Sequence, residues 1–421
     1  MFKPLVSIYL IASAIVTLGN ASAFLLQLFL VRALTPSDFG ACNVILALSN
    51  TLVAPIAVLP LIVSKIMIEQ DGDTGKIAFY VRRIVKFALL TSAVFFIAFI
   101  AFGNSLYSAI QINDPAVRLL LPALVVSTFL FHVPLGIWQG ERDYVALSFG
   151  TAAVPLLRCL AVVVLVTLLG GGLNAAIIAL IFGGLAVFLG GLWSRRHYFT
   201  GPATQTSAHS PAMTLKFAVP ASLSTLGLLL LAYIDLPIVR AVSTPEASGL
   251  YAAASTLAKI SLLLPQALVG IIFPEAARLT RLDKTASRAR LGLILSALAF
   301  TFLVSGAASL AMMALPEFLM RVLAGQAYSD GADILRVLAP AMMFLAASTL
   351  IITYAIARGA YSLLIPMALA IALLAILPFQ LALNPLQIAY VVLAILIGLT
   401  IACLAWLFVT HRPQVFEPSG A

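Results

Sequence analysis

Charge is what this sequence has least of. Aspartate, glutamate, lysine and arginine make up only 9% of its 421 residues, against about a quarter in soluble domains, which excludes an ordinary water-soluble fold. Cysteine is scarce as well. Cys42, Cys159 and Cys403 fall in apolar segments without paired spacing, so neither a disulfide framework nor a metal site is indicated. No glycine-rich loop ends in Lys-Ser or Lys-Thr, and no polar stretch is long enough for a separate soluble domain. ATP-driven work by this chain alone is therefore not expected. Short alternating strands are missing too, which excludes a lipid-spanning β-barrel.

What is present is apolar. Hydrophobic residues reach 62% and the mean hydropathy is +1.12. A membrane-crossing helix needs about 20 apolar residues. Such stretches predict twelve spans, near 5–31, 41–66, 79–103, 118–140, 147–169, 174–193, 214–238, 247–273, 289–313, 335–357, 361–383 and 387–409. Ala21-Ser22-Ala23 imitates a signal-peptide cleavage site, but the apolar run continues to Val31, as in an uncleaved first helix. Prolines recur inside the segments, among them Pro55, Pro122, Pro134, Pro155, Pro220, Pro340 and Pro378. Each removes a helical hydrogen bond and predicts a kink.

The net charge of +9 is distributed unevenly. Lys3, Lys65, Lys76, Arg82, Arg83, Lys86, Arg142, Arg195, Arg196, Lys216, Arg278, Arg281, Lys284, Arg288, Arg290, Arg358 and Arg412 fall at one end of the spans. Arg32, Arg118, Arg240, Arg321 and Arg336 fall at the other. The positive-inside rule then puts both termini in the cytoplasm of a multi-pass inner-membrane protein. The basic balance is a topology signal and an attraction for anionic lipid, not a nucleic-acid footprint.

The chain also repeats itself. VRALTPSDFG at 31–40 matches VRAVSTPEASG at 239–249, pairing Arg32 with Arg240, Pro36 with Pro245 and Gly40 with Gly249. RLLLPAL from Arg118 matches RVLAPAM from Arg336. A duplication in one orientation predicts two six-helix lobes with a cleft between them and rocking of one lobe on the other. The expected division is 1–196, a polar cytoplasmic linker at 197–213, and 214–421.

YIDLPIVRAVSTPEASGLYAAASTLAKISLLLPQALVGIIFPEAARL, residues 233–279, resembles helices seven and eight of the polysaccharide-transporter (Wzx-type) branch of the multidrug/oligosaccharidyl-lipid/polysaccharide (MOP) superfamily. Asp235, Gly249, Tyr251 and Pro274 stand at that branch's motif positions, and FLVRALTPSDFGACNV is similar to its first-half copy. The resemblance implies an all-α, MATE-like protein with two pseudo-symmetric lobes around a central cavity. It implies flipping of a polyprenyl-diphosphate-linked oligosaccharide by alternating access, without ATP or a bound cofactor, for cell-surface polysaccharide. Polysaccharide-assembly enzymes are then the expected protein partners. The two extra C-terminal helices of the peptidoglycan-precursor branch are missing, which argues against a lipid II flippase. The alternatives are a cation-coupled multidrug exporter of the same superfamily, whose cavity would want acids, and a membrane-embedded polymerase or acyltransferase, for which the repeat has no use. The loop after helix two lacks the major-facilitator pattern.

A charge at a helix centre costs about 2.5 to 3.5 kcal/mol on insertion scales, so each needs a partner, a water-filled cavity or a function. Lys259 and Arg158 are the candidates for compensating a diphosphate, Lys as a point charge and Arg as a planar fork. The repeat maps Lys259 onto Asn50 and Asp235 onto Gln27, which makes Asn50 and Gln27 candidate cavity residues. Asp235 is the candidate for coupling to a proton or sodium ion, or for a salt bridge to Lys259 or Arg240, near the outer end of helix seven. His132 is read as a histidine hydrogen-bonded within the bundle. Asn20, Asn43 and Gln266 are further polar groups able to meet sugar hydroxyls or to join helices.

Overall fold

The computed structural model describes residues 2–70, 73–112, 114–204, 212–265 and 287–410. Gln266, Pro274, Arg278, Arg281, Lys284 and Arg412 lie outside the described residues. Every regular element among the described residues is helical. The first half holds α1 (Phe2–Ala33), α2 (Pro36–Val53), α3 (Leu59–Ile68), α4 (Thr74–Phe102), α5 (Val117–Leu130), α6 (His132–Gly140), α7 (Tyr144–Val162) and α8 (Leu173–Ser194). The second holds α9 (Ala212–Tyr233), α10 (Asp235–Val242), α11 (Pro245–Leu263), α12 (Ser287–Ala314), α13 (Ala332–Ala357), α14 (Leu364–Gln380) and α15 (Pro385–Thr410). Helix pairs α2–α3, α5–α6 and α9–α10 are single predicted spans interrupted once.

Nine helices among the described residues are long and apolar enough to cross a membrane, and a tenth is made by the bent pair α9–α10. Of the other two predicted spans, 361–383 holds α14 and the described part of 247–273 holds α11, and they differ in character. α14 has 17 residues, about 25 Å at 1.5 Å per residue, short of a hydrocarbon core of about 30 Å. α11 carries Glu246 and Lys259 among small residues, and Gly249, Tyr251, Ala252, Ala253, Ala254 and Ser255 are all buried. It packs between α2 and α13, so little of it needs to match lipid.

The interruptions have local causes. A proline ring clashes with the carbonyl four residues back and leaves that carbonyl without its helical donor. Pro134 stands four residues after Leu130, where α5 ends, and Pro237 stands four residues after Tyr233, where α9 ends. The second break bends the span by 41°. Pro122, Pro155, Pro220, Pro340 and Pro378 lie inside helices that continue through them.

At the charge-rich end the polar stretch after α8 is folded onto the first lobe. Arg82 donates to the Tyr198 carbonyl at 2.8 Å and to the Gly201 carbonyl, and the Thr204 amide donates to the Gly75 carbonyl at 3.1 Å. Residues 205–211 lie outside the described residues. Arg195 forks between Glu141 and Asp143, each at 2.6 Å, and the Tyr198 hydroxyl donates to Glu141 at 2.8 Å. Burial, with Glu141 as acceptor, raises the Tyr198 phenol above its ordinary range, so this hydroxyl remains a donor at neutral pH. Hydrogen bonds to charged groups contribute about 1.5 to 3 kcal/mol. Arg195→Ala is expected to destabilise the protein by about that amount, read as a lower thermal midpoint in detergent.

Candidate functional site

Helices α1, α2 and α7 of the first half enclose most of a cavity of about 180 Å³. Its wall is built by helical periodicity. Ala23, Leu26 and Gln27 of α1, Asn43, Leu46 and Asn50 of α2, and Val154, Pro155 and Arg158 of α7 recur at three- and four-residue steps, so each set shares one helix face. Tyr233, the last residue of α9, closes the wall from the second lobe. Gln27, Asn50 and Arg158, three candidates from the sequence, thus come together, with Asn43 beside them. Asn20 is exposed and does not line this cavity.

Arg158 is held without being neutralised. Its Nε donates to the Leu180 carbonyl at 2.8 Å and Nη2 to the Thr128 hydroxyl at 3.2 Å. Neither acceptor is an acid, and no ion pair to Arg158 occurs among the described residues. The stem crosses α8 at Gly183, where a Cβ would stand 2.5 Å from Arg158 Cγ. Only glycine admits the stem there. The amides add unspent hydrogen-bonding capacity. Gln27 Oε1 is buried without a partner, and Asn43 donates to the Phe39 carbonyl at 3.1 Å, which leaves its own oxygen uncommitted. His132 is bonded within its helix run, Nδ1 lying 2.8 Å from the Thr128 carbonyl.

Lys259 does not line this cavity. Its Nζ sits 4.0 Å from the centre of the Tyr233 ring. The repeat therefore lands on one neighbourhood: Gln27 and Asn50 line the cavity, and their counterparts Asp235 and Lys259 flank the tyrosine that completes it. Asp235 is buried, at 3% exposure, rather than reaching an interface. Its Oδ1 accepts from the Leu236 amide at 3.0 Å and its Oδ2 from the Tyr251 hydroxyl at 2.8 Å. Lys259 is within its electrostatic range, but no salt bridge joins Asp235 to Lys259 or Arg240 among the described residues. Tyr233 was absent from the candidates drawn from sequence. The available signal was Pro237, which ends α9 at that residue and turns its ring toward the junction.

The charge-poor end is clasped by groups that the duplication relates. Arg32 of the first lobe donates to the Leu323 carbonyl at 3.3 Å and to the Val322 carbonyl of the second. Arg240 of the second donates to the Ile110 and Ser37 carbonyls of the first, both at 3.2 Å. Gln111 donates to the Ala241 and Ser243 carbonyls, and Tyr328 to the Leu34 carbonyl. Gln111 adopts a left-handed backbone (φ 53°) to do so. Each of these arginines reaches from its own half to carbonyls of the other. α2 and α11 cross where the repeat-related Gly40 and Gly249 meet: a Cβ on Gly249 would stand 1.9 Å from the Pro36 carbonyl oxygen.

This two-lobed helical bundle has the MOP superfamily fold. A multidrug resistance MATE family transporter in an inward-facing conformation aligns over 96% of this chain and 98% of its own, with TM-score 0.76 and 14% identity. The lipid II flippase MurJ in an inward closed conformation aligns over 96% and 88%, with TM-score 0.75 and 11% identity. A MOP superfamily transporter from Pyrococcus furiosus aligns over 96% and 92%, with TM-score 0.57 and 16% identity. No curated protein matches the chain by sequence. A family model described as polysaccharide biosynthesis protein matches residues 29–333. The chain belongs to that family, as a multi-pass membrane protein with a transporter fold.

Proposed function

We propose that this protein flips a lipid-linked oligosaccharide, carried on a polyprenyl diphosphate, from the cytoplasmic to the outer leaflet of a bacterial inner membrane. The observation that carries the reading is Arg158, a guanidinium in the wall of a cavity that Tyr233 of the second half closes, anchored by a carbonyl and a hydroxyl and opposed by no carboxylate among the described residues. A phosphate oxygen is the natural complement of such a group. Gln27, Asn43 and Asn50 offer amides for hydroxyls, and Lys259 stands behind Tyr233 as a second cation. A drug exporter for cationic guests would want an acid in the wall, whereas Asp235 is committed to Tyr251 and the Leu236 amide.

The lobes (1–196 and 214–421, linked by 197–213 in sequence) exchange access by parting at the Arg32/Arg240 clasp, with both termini cytoplasmic. The membrane potential favours export: two negative charges moving outward gain about 4.6 kcal/mol per 100 mV, at about 2.3 per charge. Asp235 remains the candidate for coupling to a proton or sodium ion. The test is translocation of a fluorescent polyprenyl-diphosphate oligosaccharide in proteoliposomes, with a lipophilic cationic dye as comparison. Flipping of the glycolipid, accelerated by a potential negative on the starting side, is the expected result. Transport of the dye alone would replace this reading with the drug exporter.

A further inference from the structure

Lys259 is placed to meet an anion only if something keeps it from the nearest one inside the protein. That anion is Asp235. An unscreened ion pair at contact is stronger than a desolvated cation–π contact. A lysine free to choose would fall onto the carboxylate. Instead its ammonium sits 4.0 Å from the centre of the Tyr233 ring, and the two charges form no ion pair. Three features of the fold maintain that separation. The Pro237 break places Tyr233 and Asp235 on different helices, α9 and α10. Tyr251 occupies one carboxylate oxygen and the Leu236 amide the other. The ring itself takes up the ammonium.

We infer that Tyr233 is a positioning residue: its ring holds Lys259 off Asp235 and beside the cavity, where the ammonium, out of contact with the carboxylate, serves as a second cation for the diphosphate that Arg158 receives. This rests on the function proposed above and names a residue of the site. The ring both borders the cavity and seats the lysine, so Lys259 stands one side chain behind the wall that holds Arg158. Without the ring, Lys259 collapses onto Asp235 and its charge is spent.

The test uses the full-length protein in nanodiscs, with geranylgeranyl diphosphate as probe and geranylgeraniol as the uncharged control, by titration calorimetry. Wild type is expected to prefer the diphosphate. Tyr233→Leu should weaken diphosphate binding about tenfold, the equivalent of losing one charge contact, and leave geranylgeraniol unchanged. Tyr233→Phe and Tyr233→Trp, which keep a ring, should bind within about threefold of wild type. The decisive variant is Tyr233→Leu with Asp235→Asn: removing the competing carboxylate should restore most of the lost affinity. If Tyr233 instead stacked directly on the ligand or merely supported the fold, Asp235→Asn would restore nothing, and that result overturns the inference. Tyr233→Leu binding as tightly as wild type overturns it as well. Absence of any diphosphate preference in wild type overturns both this inference and the proposed function, so the two failures are distinguishable.

Discussion

Arg158→Ala is expected to abolish most glycolipid translocation while leaving the folded protein at least as stable as wild type. The two expectations have one origin. A guanidinium within a membrane helix costs about 2.5 to 3.5 kcal/mol on insertion scales, and no acid among the described residues pairs with it. The Leu180 carbonyl that holds Arg158 is a helical acceptor, and the Thr128 hydroxyl also accepts from Ser49 at 3.4 Å, so both keep a partner without the arginine. Replacing it by alanine therefore removes a cost to folding. In transport the loss is one or two charge-assisted hydrogen bonds to phosphate, about 1.5 to 3 kcal/mol each, which corresponds to about a 10- to 100-fold slower rate per bond. Arg158→Lys keeps the charge but loses the fork and the anchor, and an intermediate rate is expected. The measurements are flipping in proteoliposomes at matched insertion and thermal midpoints in detergent. Wild-type flipping by Arg158→Ala would remove this cavity from the mechanism; a large fall in stability would assign the arginine to packing.

Gly249→Val is expected to prevent closure of the charge-poor end. The Cβ it introduces would lie 1.9 Å from the oxygen and 2.4 Å from the carbon of the Pro36 carbonyl. Those atoms are backbone and cannot rotate aside, so α2 and α11 must separate and draw the Arg32 and Arg240 clasps apart. At Gly40, the repeat-related position, a Cβ would stand 2.7 Å from the Ser248 hydroxyl and 2.9 Å from the Gly249 amide. The hydroxyl can move, so a smaller effect is expected from Gly40→Ala. The readout is labelling of a cysteine introduced at Ser243, in the seam, by a membrane-impermeant maleimide; Cys42, Cys159 and Cys403 are buried. A destabilisation of the closed state by about 1.4 kcal/mol or more raises the open population tenfold. Labelling at least tenfold faster than in the glycine parent is expected. Unchanged labelling would mean that the lobes do not part along this crossing.

Much of this protein was legible before any coordinates. Continuous apolar runs admit only helices in a membrane, because lipid offers no partner to a free backbone group. The run lengths located the ten membrane-length spans found among the described residues. The repeat led from Lys259 and Asp235 to Asn50 and Gln27, which border the cavity. What stayed hidden was the direction of each side chain. Lys259 and Arg158 look alike in sequence, yet one lines the cavity and the other rests on a tyrosine beside it. Periodicity identifies a helix, but its rotation is set by the neighbours it packs against.

Helix content, the membrane-embedded state and the duplication thus followed from composition and local pattern, since each depends on residues within one segment or on a comparison of segments. The partner of every intramembrane charge was decided only by tertiary structure. Arg158 meets Leu180 and Thr128 from two other helices, Lys259 meets Tyr233 across a break caused by Pro237, and Arg240 meets the carbonyls of the opposite lobe. Backbone carbonyls and aromatic faces carry no sequence label as acceptors of charge, and they become recognisable only where packing brings them to a cation.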